Sequence, residues 1–378
     1  MYNVKLNAFL IETKALSRIL KGIFNEIYLV KESQGTLDLN VLKGDSEEKL
    51  IGFPLPRNRS AAFLLKHIVC VFYFLKVSKR VHFVILSNVS DYPLTLLSIG
   101  KLTNKKIVDF IGGSRVFLSL VILHSKTSFL RKIASLYALI SLNIALRISD
   151  KIILNARRLA REKPFIVYKD KVCVANNFPS EDFFEKFCIR KRFVERKLVV
   201  GYVGAFTLAK GICSLAKAMR MLLEEVPELE VIFVGDYQRS EPPVLGHKIL
   251  HFFDEYRDRV TFTGQVHHSK VADYLNEMTL MIYPSYSEGL PHAIIEAMAC
   301  GTPVLATPVG AIPDIIKDGE TGFLLKSNDP KYIAERIVEL LNQPELLEKV
   351  SINAYNYVRE NFSYEKTLER WKKIINEL

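Results

Sequence analysis

The stretch TLMIYPSYSEGLPHAIIEAMACGTPVLATP (279–308) reads as a complete strand–helix–strand unit. TLMIYPS is a short apolar run ending in a proline, SYSEGL is a loop, HAIIEAMA is an apolar helix, and TPVLATP is a second strand. Two short strands joined by a helix run parallel, because the helical crossover brings the chain back in the same direction. Pro291 suits the first helical turn, where its missing N–H costs nothing, and Gly301 suits the left-handed position after the last turn.

The same grammar extends in both directions. Upstream lie the strand-like runs LVVGYVGAF (198–206), ELEVIFVGD (228–236) and RVTFTGQV (259–266), separated by helical KGICSLAKAMRMLLEEV (210–226) and VADYLNEM (271–278). Downstream follow GFLLKS (322–327), the amphipathic KYIAERIVELL and the closing SYEKTLERWKKIINEL. A second, earlier series holds VHFVILS (81–87), KKIVDFIG (105–112), a helix over about 128–148, DKIILNA (150–156) and KVCVANN (171–177). Alternating strands and helices predict parallel sheets covered on both faces. The expected architecture is α/β, with two facing doubly wound, Rossmann-like domains: 1–193, then 194–361, with the C-terminal helix of about 362–378 packing back on the first. Ligands in such sheets bind outside the carboxyl ends of the strands, and two facing sheets enclose a cleft suited to two substrates.

The 378 residues are 49% hydrophobic and 25% charged, an ordinary globular balance. Cys70, Cys173, Cys188, Cys213 and Cys300 are dispersed, without C-x-x-C, and read as free thiols of a reducing compartment. Lys5, Glu12 and Lys14 interrupt any leader-like run near the N-terminus. The formal charge of +11 is unevenly shared, the first 193 residues being strongly basic and the remainder acidic. The tracts 61–75 and 133–146 are too short or too interrupted to span a bilayer. Lys76, Lys79, Arg80, Lys126, Arg131, Lys132 and Arg147 flank them, a pattern suited to an anionic lipid surface. No helix-turn-helix, finger or RNP-like pattern supports nucleic acid as the partner.

Two carboxylates, Glu288 and Glu296, stand eight apart around the start of the 291–299 helix. The amides of about 289–293 form the kind of helix N-terminus that binds phosphate. Glu296 lies inside an otherwise apolar helix, where a carboxylate makes little sense for stability. Acids flanking a phosphate pocket suit a nucleotide sugar, with ribose at Glu296 and the second sugar at Glu288. For Glu288 alone, partnership with the helix dipole is the competing reading.

This stretch resembles the E-x7-E motif of retaining GT-B glycosyltransferases of the family-four type (glycosyl transferases group 1). GYVGAFTLAKG (201–211), VIFVGD (231–236), VTFTGQV (260–266) and MACGTPVLATPVGAIPDIIKDGETGFLL fit that family in order, and the likeness covers most of 150–330. The resemblance implies that Glu296 binds ribose, that Glu288 lies by the donor sugar beside Gly289, Leu290 and Pro291, and that Lys210 before Gly211 neutralises the diphosphate. It also implies donor contacts at Gly204, Gly310 and the backbone near Gln265 and Val266. On the acceptor side, Gly112, Gly113, Ser114 and Arg115 are candidates. Asp109 is a catalytic candidate beside Glu288 and Lys210, with an end-of-strand hydrogen bond as its other reading.

Two departures stand out. Ala205 occupies the place of the family's usual arginine, and FLIETKALSRIL (9–20) lacks the glycine-rich loop expected after the first strand. No D-x-D occurs, so the expectation is a metal-independent enzyme without cofactor, and the resemblance implies a hexosyltransferase type in EC 2.4 acting with retention. Its acceptor is expected to be lipid-linked or a glycan precursor, with the protein cytoplasmic and peripheral on the inner face of a membrane. A sugar-nucleotide epimerase on the same fold and a weakly catalytic scaffold of a membrane glycan complex are the rival readings.

Overall fold

The computed structural model describes residues 7–12, 16–33, 36–43, 46–54, 59–87, 94–111, 129–161, 163–176 and 180–378. The chain divides into two compact units, Met1–Phe178 with Tyr364–Leu378, and Pro179–Ser363.

The first unit carries strands β1 (Asn7–Glu12), β2 (Glu26–Ser33), β3 (Thr36–Lys43), β4 (Ser46–Pro54), β5 (Phe83–Ser87), β6 (Lys106–Ile111), β7 (Lys151–Leu154) and β8 (Val172–Val174). They form one sheet in the order β4-β3-β2-β1-β5-β6-β7-β8. β1, β2 and β5–β8 are parallel, while β3 and β4 extend the edge as an antiparallel meander. The sequence reading assigned nothing to that meander.

Both apolar tracts prove two-faced. The helix Arg59–Val77 buries Val69, Cys70, Tyr73, Phe74 and Val77 against the sheet, while Ile68, Phe72 and Leu75 are 58%, 67% and 51% exposed. The helix Phe129–Ile148 buries Leu142, Ala145 and Leu146 and exposes Leu136 and Ile140. Among the described residues no helix is long and apolar enough to cross a membrane.

The opposite face of this sheet is covered in part by the C-terminal helix Tyr364–Asn376. Its Trp371 is fully buried against Phe110, with ring centroids 5.7 Å apart, and its indole N–H donates to the Asn176 carbonyl at 2.7 Å.

The second unit holds β9 (Val199–Val203), β10 (Glu230–Val234), β11 (Val260–Phe262), β12 (Leu280–Tyr283), β13 (Val304–Ala306) and β14 (Phe323–Leu324), all parallel, in the order β11-β10-β9-β12-β13-β14. Every residue of β9, β12 and β13 is buried, which is why these strands read as unbroken apolar runs. The strand order reverses between β9 and β12, a topological switch point, and sheets of this kind bind ligands outside the carboxyl ends of their strands.

The junction falls at 178/179, earlier than the expected 193. The charged segment before β9 belongs to the second unit because its polar groups find their partners there. Asn276 Oδ1 accepts from the Arg190 and Lys191 amides at 2.7 and 3.3 Å, and Arg190 pairs with Asp273. The Arg196 guanidinium donates to the carbonyls of Cys300 (2.7 Å) and Met278 (2.8 Å).

Candidate active site

At the carboxyl ends of the second sheet, the loop after β9 ends in a short 3₁₀ turn, Leu208–Lys210, followed by Gly211 at φ +69° and the helix Ile212–Glu225. A Cβ at Gly211 would lie 2.0 Å from the Pro284 carbonyl oxygen, so only glycine lets this loop reach the one after β12. Two further bonds join these loops: the Tyr286 amide and the Ser285 hydroxyl both donate to the Ala209 carbonyl, at 2.8 and 3.1 Å.

Lys210 is the product of this arrangement. Its Nζ donates to Glu288 Oε1 at 2.6 Å and to the Tyr283 hydroxyl at 3.1 Å, and lies 5.4 Å from the Tyr283 ring centroid. The Glu288 side chain is 6% exposed and that of Lys210 26%. A lysine has three N–H donors. Among the described residues two are engaged, leaving one for an incoming anion. Burial first, and the charge of Glu288 second, hold the Tyr283 phenol well above its ordinary range, so it remains protonated.

A third loop fixes Glu288 from behind. Gly310 sits at φ +56°, and a Cβ there would come 2.1 Å from the Glu288 carbonyl oxygen. Its neighbour Ala311 donates its amide to the Gly289 carbonyl at 3.0 Å, and the Thr307 hydroxyl donates to the Ser285 carbonyl. Gly310 is thus a close-approach position.

The helix after this loop spans His292–Ala299, with Pro291 just outside it at φ −78°, ψ 99°. Pro291 therefore precedes the first turn that the sequence reading gave it. Its carbonyl accepts the first helical bond, from Ile294 at 3.2 Å. Among the described residues, the amides of Gly289, Leu290 and Ala293 donate to no backbone carbonyl, and so remain available as anion donors. The other end closes as expected: Gly301 is left-handed at φ +65°, with Thr302 N bonded to Ala297 O at 2.8 Å and Gly301 N to Met298 O at 3.0 Å.

Glu296 lies on the second turn of this helix with its side chain 7% exposed, and its Oε1 is 2.8 Å from His268 Nε2. His268 opens the helix His268–Glu277, which follows β11 and the segment containing Gln265 and Val266. The helix that follows Gln265 and Val266 thus meets the helix bearing Glu296 through His268. Gly204 packs on the same framework: a Cβ there would lie 2.6 Å from the Tyr202 hydroxyl, which donates to the Ala205 carbonyl at 2.8 Å. The loop is held at Ala205 through its backbone, which leaves that side chain free to vary.

Three site residues, Tyr202, Tyr283 and His268, escaped the sequence reading. The tyrosines are strand residues, indistinguishable in sequence from core, and His268 is one of an adjacent pair of histidines whose orientation no spacing fixes.

Of the first-unit candidates, Gly112, Gly113, Ser114 and Arg115 lie outside the described residues. Asp109 is corrected. It sits within β6, not at its end, in register with Leu86 on β5 and Ile152 on β7, both fully buried. Its side chain is sealed from solvent, neither carboxyl oxygen has a hydrogen-bond partner among the described residues, and burial pushes its pKa up to about 8. Enclosed in this way the carboxyl meets no substrate in this structure, and among the described residues the expected end-of-strand hydrogen bond is not made either.

Residues 184–357 match the family model described as Glycosyl transferases group 1. An uncharacterized glycosyltransferase of Methanocaldococcus jannaschii is 30% identical over 182 residues, 47% of this chain and 47% of that protein. The chain spans about half the length of the curated relatives it matches. Over nearly its whole length it is similar in structure to sucrose-phosphate synthase from Thermosynechococcus elongatus, with a TM-score of 0.71 at 18% identity, covering 98% of each chain. It is also similar to the Anabaena protein HepE solved with UDP and glucose, with a TM-score of 0.67 at 14% identity, covering 99% of this chain and 100% of that one. Residues 184–357 thus form a glycosyl transferases group 1 domain, within a chain of the GT-B fold with its two Rossmann-like units.

Proposed function

We propose that this protein transfers a sugar from a nucleoside diphosphate donor to an acceptor hydroxyl, with retention and without a metal ion. The observation that carries this reading is the Lys210–Glu288–Tyr283 cluster at the switch point of the second sheet, beside the unengaged amides of Gly289, Leu290 and Ala293. In this reading the diphosphate takes the third N–H of Lys210 and those amides. Glu288 faces the donor sugar, and Glu296 receives the ribose hydroxyls. The acceptor oxygen bonds to the anomeric carbon on the face from which the diphosphate departs. Its proton passes to the departing phosphate oxygen, so no protein nucleophile is needed. Lys210 and the helix amides stabilise the charge that collects on the leaving group.

A thermal-shift panel of nucleotide sugars is the first test, since a ligand at 100 times its Kd adds about 2.7 kcal/mol of stability. Glu296→Gln should then weaken the best donor by roughly 10- to 100-fold, because bonds to a charged acceptor are worth about 1.5–3 kcal/mol. Unchanged binding by that variant would remove ribose from Glu296. Release of a free epimerised sugar in place of transfer would favour an epimerase.

The acceptor is assigned to the basic first unit and to a lipid-borne substrate, with the protein on the cytoplasmic leaflet. Supporting this, Ile68, Phe72 and Leu75 recur at helical spacing on the outer face of Arg59–Val77, and Lys76 and Lys79 continue it as exposed cations. Apolar side chains entering the headgroup boundary and lysines meeting lipid phosphates act together. Co-sedimentation should show binding to anionic but not neutral vesicles, weakened by salt. Lys76→Glu with Lys79→Glu should reduce it at least tenfold, at roughly 1 kcal/mol per cation. Equal, negligible binding to both vesicle types would make a soluble acceptor the better reading.

A further inference from the structure

Glu296 is already occupied. His268 gives it the side-chain hydrogen bond at Oε1, and among the described residues Oε2 makes none. A ribose presents two adjacent hydroxyls, which are best met by both oxygens of one carboxylate. To receive the diol, Oε1 has to be released. The two partners differ in freedom to move. Glu296 is held mid-helix with its side chain 7% exposed, whereas His268 sits on the first turn of its helix with a side chain 62% exposed. Its ring rests against Phe187, with centroids 5.1 Å apart, and can turn outward into water.

We propose that His268 is a latch on the nucleotide site, holding Glu296 in the empty protein and yielding it to the ribose diol, with loss of its proton as it leaves. The inference rests on the assignment of ribose to Glu296.

Among the described residues, the titratable groups that act on the imidazole are Glu296 and His292 from the helix His292–Ala299, and Lys186 and Asp182 from the segment around the helix Phe183–Lys186. The hydrogen bond to Glu296 is the largest influence and raises the His268 pKa, with burial acting against it. Once the diol takes Oε1 that support is gone, and the imidazole returns toward its ordinary value near 6.5. Nucleotide binding therefore releases a proton at pH values between the ordinary and the raised pKa. By linkage, affinity rises with pH across that window and levels off once the latch is neutral in the empty protein.

Calorimetric titration of the full chain with UDP, and with GDP and ADP in parallel, tests this at pH 6 to 8.5 in two buffers of different ionisation enthalpy. The wild type should bind roughly three- to tenfold more tightly at pH 8 than at pH 6 and release up to one proton. His268→Gln keeps a donor but cannot titrate. It should bind more tightly than wild type at pH 6, with its affinity flat relative to wild type and no released proton beyond that of the nucleotide itself. The diphosphate's own titration is common to both proteins and cancels in the comparison. A wild-type pH slope and proton release in His268→Gln would overturn the latch, as would weaker binding than wild type at pH 6. Glu296→Gln separates the two ideas. If it binds as wild type at pH 8, the ribose assignment fails, and the latch with it. If it binds weakly while His268→Gln titrates like wild type, only the latch fails. Absence of binding by all three nucleotides overturns both.

Discussion

Lys210→Met is expected to lower kcat by roughly 10²- to 10³-fold, the usual cost of removing one preorganised donor from a developing negative charge. The lysine is preorganised in a specific sense. The Glu288 and Tyr283 contacts at 2.6 and 3.1 Å fix Nζ before any ligand arrives, so no reorganisation is required as the leaving group gains charge. The substitution also strands Glu288, whose side chain is 6% exposed, and breaking a buried pair from one side is costly in itself. The double variant Lys210→Met/Glu288→Gln separates the effects. It restores local neutrality and should recover Tm while leaving turnover low. The readout is nucleoside diphosphate released from the best donor. A kcat within about threefold of wild type would sink the role of Lys210. The same assay in excess chelator should retain activity. Loss that Mg²⁺ or Mn²⁺ restores would place the leaving-group charge on a metal instead.

The stability of the first unit should fall as pH rises from about 4 to 8, opposite to the usual behaviour of paired carboxylates. The cause is Asp109, whose pKa climbs from 3.8 to about 8 because its neighbours across the sheet are hydrocarbon. Between these values the folded unit keeps a proton that the unfolded chain has lost, so each rise in pH favours unfolding. The penalty grows by up to about 1.4 kcal/mol per pH unit, reaches about 4 kcal/mol near pH 7, and flattens above pH 8, where the folded form ionises too. Asp109→Asn retains the shape and cannot ionise. Urea titrations should show the difference between wild type and variant widening with pH across this window. Parallel curves would mean that Asp109 has a partner in solution.

The second unit was largely legible because its strands are buried on both faces and write themselves as continuous apolar runs between glycine-marked turns. Glu288 and Glu296 stood out by their places before and inside one helix, and Lys210 only through the family resemblance. Their partnerships did not. Lys210 and Glu288 are 78 residues apart, and nothing local says that two loops will meet at Gly211. The meander of β2–β4 was missed because TLDLNVLK and SEEKLIGFP mix charge into their alternation and look like surface. Asp109 misled because a carboxylate near the glycines at 112–113 looked like a group at the strand's mouth, and a strand's period alone does not reveal that both of its faces are covered.

The return of Tyr364–Asn376 to the first unit has a consequence for the order of synthesis. A ribosome delivers residues 179–363 in full before Trp371 exists, so the second unit can close while the first waits with the hollow beside Phe110 and the Asn176 carbonyl unfilled. The nascent chain therefore has to shelter an open apolar face from its early residues until the helix Tyr364–Asn376 emerges, and a stop at residue 363 should yield a folded second unit tethered to a first unit that chaperones retain.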